Sequence, residues 1–181
     1  MFIRTIKHFL TKEECNSIIE EYSKLDLKTA EVGADFTGDK LKSVRDSEVV
    51  MVEIDWIKTK LESVLKNEIQ FKGYELDKIE KFQFTKYASG GHYDWHTDTG
   101  LNFEYRFCSI VIQLNDEYSG GELLYKDYDS TEIEFEKGIG NLFIFSSSAE
   151  HKVNSITNGI RYSLVSWIKL KEILGYKKTL L

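Results

Sequence analysis

Proline is missing altogether from the 181 residues, a bias that physical chemistry does not explain, and there is no proline-rich or other low-complexity tract to serve as a linker. The two cysteines, Cys15 and Cys108, lie far apart in apolar surroundings, which suits reduced, buried thiols better than a disulfide framework or a CxxC redox pair. No apolar run approaches the roughly 20 residues of a membrane-spanning helix, and the N-terminus carries no signal-peptide pattern. A soluble, cytoplasmic protein with no membrane partner is expected. Positive charge is also short: 24 Lys and Arg against 30 Asp and Glu leave a net charge of −6. Such a chain repels a phosphate backbone, and no basic run stands out to hold nucleic acid. An apolar fraction of 41% with 13% aromatic residues is that of a globular chain, long enough for one domain with its own core.

Two helices and then a series of strands are predicted. Residues 2–10 read as a strand, and Thr11 followed by Glu14 is a capping-box signature opening a helix with Cys15, Ile18, Ile19, Tyr22 and Leu25 on its apolar face. Residues 26–47 are polar and aperiodic, which predicts a mobile covering loop broken by one or two short strands. A second amphipathic helix is predicted over 54–69. Beyond Lys72, short runs at 78–87, 107–114, 122–125, 132–135, 141–145 and 160–169 are rich in β-branched and aromatic residues with turn signals between them. The pattern predicts a β-sandwich or jelly roll over 73–181, with 1–72 as a helical support packed outside one sheet.

Histidine is scarce, four in all, yet His92 and His96 fall with Asp94 and Asp98 in one short stretch. Residues two apart on a strand share a face, so His96 and Asp98 can aim an imidazole and a carboxylate at one metal ion. Alone, a His-x-Asp is weak evidence, because exposed His/Asp pairs are common and mostly solvated. His151 is the natural third ligand. Two histidines and one carboxylate leave open positions, as in non-haem iron(II) oxygenases, whereas structural zinc sites are closed. Shortly after His151, past the turn Thr157-Asn158-Gly159, Arg161 and Ser163 share a strand face and can grip one carboxylate through a planar guanidinium fork and a hydroxyl. Bland readings are assigned elsewhere. His92 and Asp94 are loop or supporting residues, Tyr93 and Trp95 pack away from the site, His8 is structural, and Arg106 either lines the substrate mouth or, the preferred reading, is a solvated strand-end charge. Gly120-Gly121 forms a turn, and Glu132, Glu134 and Glu136 form a solvated face.

Tyr87-x-x-Gly90 leading to His96-x-Asp98, then Leu114-Asn115, Gly120-Gly121-Glu122-Leu123, His151 and Arg161-x-Ser163 ending near Trp167, resembles the 2-oxoglutarate/iron(II) dioxygenases of the prolyl 4-hydroxylase-like superfamily. Phe9 to Cys15 and Arg45-Asp46-Ser47-Glu48 resemble the N-terminal part of that group. The segments 116–123, 151–153 and 157–161 are most similar to PKHD-type hydroxylases. The resemblance implies a double-stranded β-helix with Fe(2+) held by His96, Asp98 and His151. It also implies 2-oxoglutarate gripped by Arg161 and Ser163, with ascorbate as a stimulant. Asp98 favours hydroxylation, since related halogenases lack this carboxylate. Tyr87 either bonds the co-substrate or is a structural tyrosine. Gln113 stands where many relatives carry tyrosine and is placed to donate to the co-substrate. The implied reaction is hydroxylation of a C–H bond, on a protein or peptide residue such as proline or on a small molecule, with 2-oxoglutarate converted to succinate and CO2. Two other readings remain: a non-catalytic metal-binding jelly roll, and an oxidative nucleic-acid demethylase. The latter is disfavoured because its known members add a second arginine six residues on, where this chain has Trp167.

Overall fold

The structure, a computed structural model, describes residues 3–32, 38–68, 73–100, 103 and 105–173. Strand β1 (Ile3–Ile6) ends in a tight turn in which His8 takes φ +54°, and α1 (Lys12–Tyr22) follows. Its capping box forms: the Glu14 N–H donates to Thr11 Oγ1 (3.2 Å) and the Thr11 N–H to Glu14 Oε2 (2.8 Å). Next come β2 (Lys28–Thr29), α2 (Gly38–Val44), β3 (Arg45–Asp46), β4 (Glu48–Val52) and α3 (Asp55–Glu68). Among the described residues the later elements are strands: β5 (Tyr74–Ile79), β6 (Phe82–Tyr87), β7 (His92–His96), β8 (Cys108–Gln113), β9 (Ser119–Gly120) and β10 (Leu123–Lys126). They continue with β11 (Glu132–Glu134), β12 (Leu142–Ser146), β13 (His151–Val153), β14 (Ile156–Asn158) and β15 (Arg161–Glu172).

Among the described residues the larger sheet has eight strands, in the order β1-β12-β8-β15-β6-β4-β2 with β5 also on β15, and the smaller runs β11-β10-β13-β7-β3. Val111, Phe143 and Phe145 of the larger sheet pack with Leu123 and Val153 of the smaller, so the two sheets face each other as a jelly roll, the double-stranded β-helix that the sequence implies. The outer face of the larger sheet is covered by α1 and α3 through Cys15, Ile18, Ile57, Leu61 and Leu65. Full burial of each such aliphatic side chain contributes about 1.5–3 kcal/mol.

Because the larger sheet is covered on both sides, its strands carry two unlike registers. Even-numbered Phe82, Phe84, Ile110, Ile112, Leu142, Ile144, Leu164 and Ile168 enter the helix-side core. Odd-numbered positions face the interior of the roll, and there the residues turn polar: Gln83 and Tyr87 on β6, Ser109 on β8, Arg161, Ser163 and Trp167 on β15. This parity positions the site.

Several expectations need correction. Residues 26–47 contain a helix, α2, besides two short strands; with only Leu41 buried it has no apolar period to reveal it, and 33–37 lie outside the described residues. The strand over 78–87 is two, because the chain leaves the ladder at Glu80 and Lys81. The N-terminal strand stops at Ile6, leaving Phe9 and Leu10 as buried anchors, and Phe2 and Ile69 lie outside the described residues. The N-terminal third is also more than helical support, since β1, β2 and β4 extend the larger sheet and β3 the smaller.

The anchor at Leu10 depends on Gly140. Its N–H donates to Gln113 O (2.8 Å), its carbonyl accepts from the Leu10 N–H (3.1 Å), and it takes φ +73°. A Cβ at this position would lie 1.9 Å from Leu10 O. Gly140→Ala is therefore expected to cost about 2–3 kcal/mol, read as a fall of several degrees in the thermal unfolding midpoint; an unchanged midpoint would show that the α1 entry does not depend on this contact.

Candidate metal centre and co-substrate pocket

His96 ends β7 and His151 begins β13, and the two are direct cross-strand partners. Two positions further along β13, Val153 pairs with Tyr93, three positions back on β7. The extra residue is a β-bulge, and it reverses parity, so that Tyr93 and His96 share the inner face. The Tyr93 ring stacks on His96 with centroids 3.5 Å apart and lines the cavity, contrary to the expectation that it packs away; Trp95 does lie outside, under the ammonium groups of Lys126 and Lys152. Asp98 lies past the end of β7. It is held there by its N–H, which donates to Ser147 O (2.9 Å), and by Ser109 Oγ, which donates to its Oδ2 (2.6 Å). Strand periodicity therefore does not place Asp98 beside His96; the two serines do.

The donor atoms of His96, Asp98 and His151 lie within 4.8 Å of one another. His96 Nε2 is 3.7 Å from Asp98 Oδ1 and His151 Nε2 is 3.4 Å from Asp98 Oδ2. Each Nδ1 faces a carbonyl, Asp94 O at 2.8 Å and Ala149 O at 2.9 Å, which assigns the proton to Nδ1 and leaves the Nε2 lone pair free to ligate. Burial, with His151 beside it, pushes the His96 imidazole down to about 3, so it is neutral. Burial alone would raise the Asp98 carboxyl, but the neighbouring histidines and Ser109 outweigh it and hold the group ionised. For His151 burial opposes the charged form, and Asp98 overcomes this and raises the imidazole. Two neutral-capable imidazoles, one carboxylate and fixed tautomers make a donor set that could hold a divalent transition metal with positions to spare.

Behind this cluster the cavity, about 570 Å³, reaches Arg161. The side chain is 2% exposed, Nη1 donates to Ser163 Oγ (3.2 Å), and Nε has no hydrogen-bond partner. No carboxylate pairs with it among the described residues. Tyr87, its cross-strand partner, lies under the guanidinium at 5.3 Å, and the Tyr118 hydroxyl is beside it. Gly121 leaves room: a Cβ there would meet Ile156, Tyr118 and Arg161 side-chain atoms at 2.3, 3.1 and 3.2 Å.

Sequence reasoning placed His96, Asp98, His151, Arg161, Ser163 and Tyr87, and the structure brings all six to the cavity wall. Gln113 is turned elsewhere: its Nε2 donates to Asn115 O (3.1 Å) and Tyr118 Oη (2.8 Å), so it supports Tyr118 and does not face the cavity. His92 lies between Gly90 O and Ser43 O, and Asp94 caps the Trp95 N–H. Arg106 is no solvated charge. It forms a bidentate pair with Glu80 (3.0 Å each), lies 3.6 Å over Trp167 and 4.0 Å over Phe103, and lines the cavity. Ser109 was not singled out, and Tyr118 and the buried Arg45, which lies 4.5 Å over the Tyr93 ring, were given no part in the site; only strand parity around Ser109 offered a signal.

A two-histidine, one-carboxylate donor set inside a jelly roll is the arrangement of a non-haem iron(II) oxygenase. Residues 82–169 match the 2OG-Fe(II) oxygenase superfamily. The PKHD-type hydroxylase of Prochlorococcus marinus (strain MIT 9301) is 30% identical over 171 residues, 91% of this chain and 77% of that protein. Another, from Aliarcobacter butzleri (strain RM4018), is 29% identical over 107 residues, 54% of this chain and 47% of that protein. The chain belongs to the 2OG-Fe(II) oxygenase superfamily, among relatives of the PKHD type. In fold it is similar to a prolyl-4-hydroxylase of Pseudomonas putida (TM-score 0.72, 20% identity, 92% of this chain and 91% of that one). It is also similar to a prolyl hydroxylase from Trichoplax adhaerens solved with a hypoxia inducible factor oxygen degradation domain peptide fragment (TM-score 0.78, 15% identity, 92% and 83%).

Ser109→Ala removes the hydroxyl that orients Asp98 and is expected to weaken Mn(II) binding about ten- to a hundredfold, with His151→Ala losing it altogether. Calorimetric titration checks this, and retained affinity in His151→Ala would remove that residue from the ligand set.

Proposed function

We propose that His96, Asp98 and His151 hold iron(II), and that Arg161 with Ser163 binds the distal carboxylate of 2-oxoglutarate. The enzyme then hydroxylates a C–H bond of a peptide residue, proline being the nearest model, while 2-oxoglutarate and O2 become succinate and CO2. The observation that carries this reading is the Arg161 side chain, a buried guanidinium with an unpartnered Nε and no acidic partner among the described residues. An isolated buried charge costs several kcal/mol, which an incoming carboxylate offsets. The donor set fits iron(II), which when bound supplies the site for the keto acid and the oxidising chemistry.

The protein's own groups do the rest. Arg161 gives a fork of donors and Ser163 a hydroxyl, so a dicarboxylate is held by its far end with its reactive end toward the histidines. Tyr87 lines that channel, and Tyr118, whose hydroxyl accepts from Gln113, stands beside the guanidinium. Nδ1 of both histidines stays protonated against backbone carbonyls, which keeps Nε2 available throughout turnover. Trp167 presents a buried Nε1–H without a partner on the cavity wall, a donor suited to a peptide carbonyl. Support for a peptide comes from the Trichoplax adhaerens relative in complex with one. The N-terminal strands that complete both sheets favour one catalytic unit across the chain.

Anaerobic addition of Fe(II) and 2-oxoglutarate is expected to give a weak visible charge-transfer band, and admission of O2 to give succinate. A folded protein that does neither would instead be a binding module. Arg161→Ala should raise the 2-oxoglutarate concentration needed for half-saturation by about a hundredfold or more, the cost of a charge-assisted pair, with iron binding retained.

A further inference from the structure

A second hollow, about 390 Å³, opens beside the catalytic cavity and shares Met51 with it. Lys78, Lys81 and Lys169 line it together with Glu80 and Tyr105. We propose that this hollow receives an acidic stretch of the substrate peptide, adjoining the residue that enters the catalytic cavity; the proposal rests on the peptide-hydroxylase reading above.

Lys78 and Lys169 are direct cross-strand partners on β5 and β15. Like charges so placed destabilise a sheet, and an anion between them relieves the repulsion. The acids nearby do not cancel the lysines. Asp77 lies 3.2 Å from Lys169; Glu53, 3.6 Å from Lys81, also holds Lys58; and Glu80 is engaged by both its oxygens with Arg106. Lys78 has no acidic partner among the described residues. Counting Lys58, Lys78, Lys81 and Lys169 against Glu53 and Asp77 leaves this wall at +2, on a chain whose total is −6. A local excess of the minority sign attracts an acidic segment selectively.

The hollow is also continuous with the chemistry. The Arg106–Glu80 pair forms the partition, Arg106 facing the catalytic side and Glu80 the lysine side. Met51 and Tyr105, 48% and 44% exposed, supply apolar surface next to the charges, which suits a peptide with mixed acidic and apolar residues. Nucleic acid is less suited, because a phosphate strand running past the hollow meets the acidic remainder of the surface.

The test uses fluorescein-labelled synthetic peptides with one central Ala-Pro-Ala, flanked by four Glu or by four Lys, and a single-stranded oligonucleotide of similar length. Anisotropy is read on the anaerobic Fe(II)/2-oxoglutarate protein. The acidic peptide is expected to bind about tenfold or more tightly than the basic one, with the advantage shrinking as salt rises. Lys78→Glu/Lys169→Glu should reverse the preference, and Lys12→Glu/Lys24→Glu at the two ends of the α1 segment, the same charge change elsewhere, should keep it. Equal binding of the two peptides, a preference that survives in Lys78→Glu/Lys169→Glu, or binding of the oligonucleotide alone would overturn the proposal. Absence of the chelate band in the wild-type protein would instead sink the underlying oxygenase reading, so the two failures are distinguishable.

Discussion

A guanidinium sealed inside a protein without a counter-ion is an unstable arrangement, and among the described residues this fold is built around one. Among the described residues Arg161 is the largest fully buried side chain; it donates to Ser163 Oγ and has the Tyr118 hydroxyl beside it. Such a group stays folded in place only if its surroundings are fixed firmly by other means. They are: β15 is the central strand of the larger sheet, paired with β8 on one side and with β6 and β5 on the other, and its even-numbered residues are locked into the helix-side core. The apolar register of β15 supplies the stability that the charged register needs.

The same division of labour governs the wall that carries the candidate metal centre. Cross-strand pairing of His96 with His151 brings two imidazoles together from distant parts of the chain, and the bulge in β7 adds Tyr93 to that face. Asp98 cannot be delivered by either strand, since it lies beyond the end of β7. Its position is imposed by the larger sheet, through Ser109 on β8 and through Ser147 just after β12, whose hydroxyl is 3.0 Å from that of Ser109. One carboxylate thus ties the two sheets at the mouth of the roll, and the ionised state of Asp98 is set by groups from both.

Much of this was legible in the sequence, for identifiable reasons. His96 and His151 stand out because histidine is rare, and Arg161 because a turn and a strand place it a fixed distance after His151. The roll itself is announced by short β-rich runs separated by turn signals, and the capping box at Thr11 by its local spacing. What escaped depends on non-local geometry. The Tyr93 orientation follows from a bulge that no periodicity reveals, and the Arg106–Glu80 pair joins residues 26 positions apart. The Gln113 amide was read as facing the co-substrate, but its parity only brings it to the interior; Tyr118 and Asn115 then capture both of its donors. Helix α2 has a single buried apolar residue and so carries no period to detect.

The bulge has a further effect on how the cavity is divided. Without the extra residue, strict alternation would put Asp94 beside His96 on the inner face and turn Tyr93 outward. The interior would then hold two carboxylates near the metal-binding wall, and their mutual repulsion would raise the pKa of one of them. With it, Asp94 is exposed and bonds the Trp95 N–H, while an aromatic ring covers His96 and carries Arg45 on its other side. The wall therefore keeps a single carboxylate, and the stack of Arg45, Tyr93 and His96 forms a flank between the candidate metal centre and the N-terminal segment. Arg45 in turn donates to Ser47 Oγ (3.0 Å) and Glu31 O (3.3 Å), so one inserted residue in β7 sets the site's charge and couples it to the strands that complete both sheets.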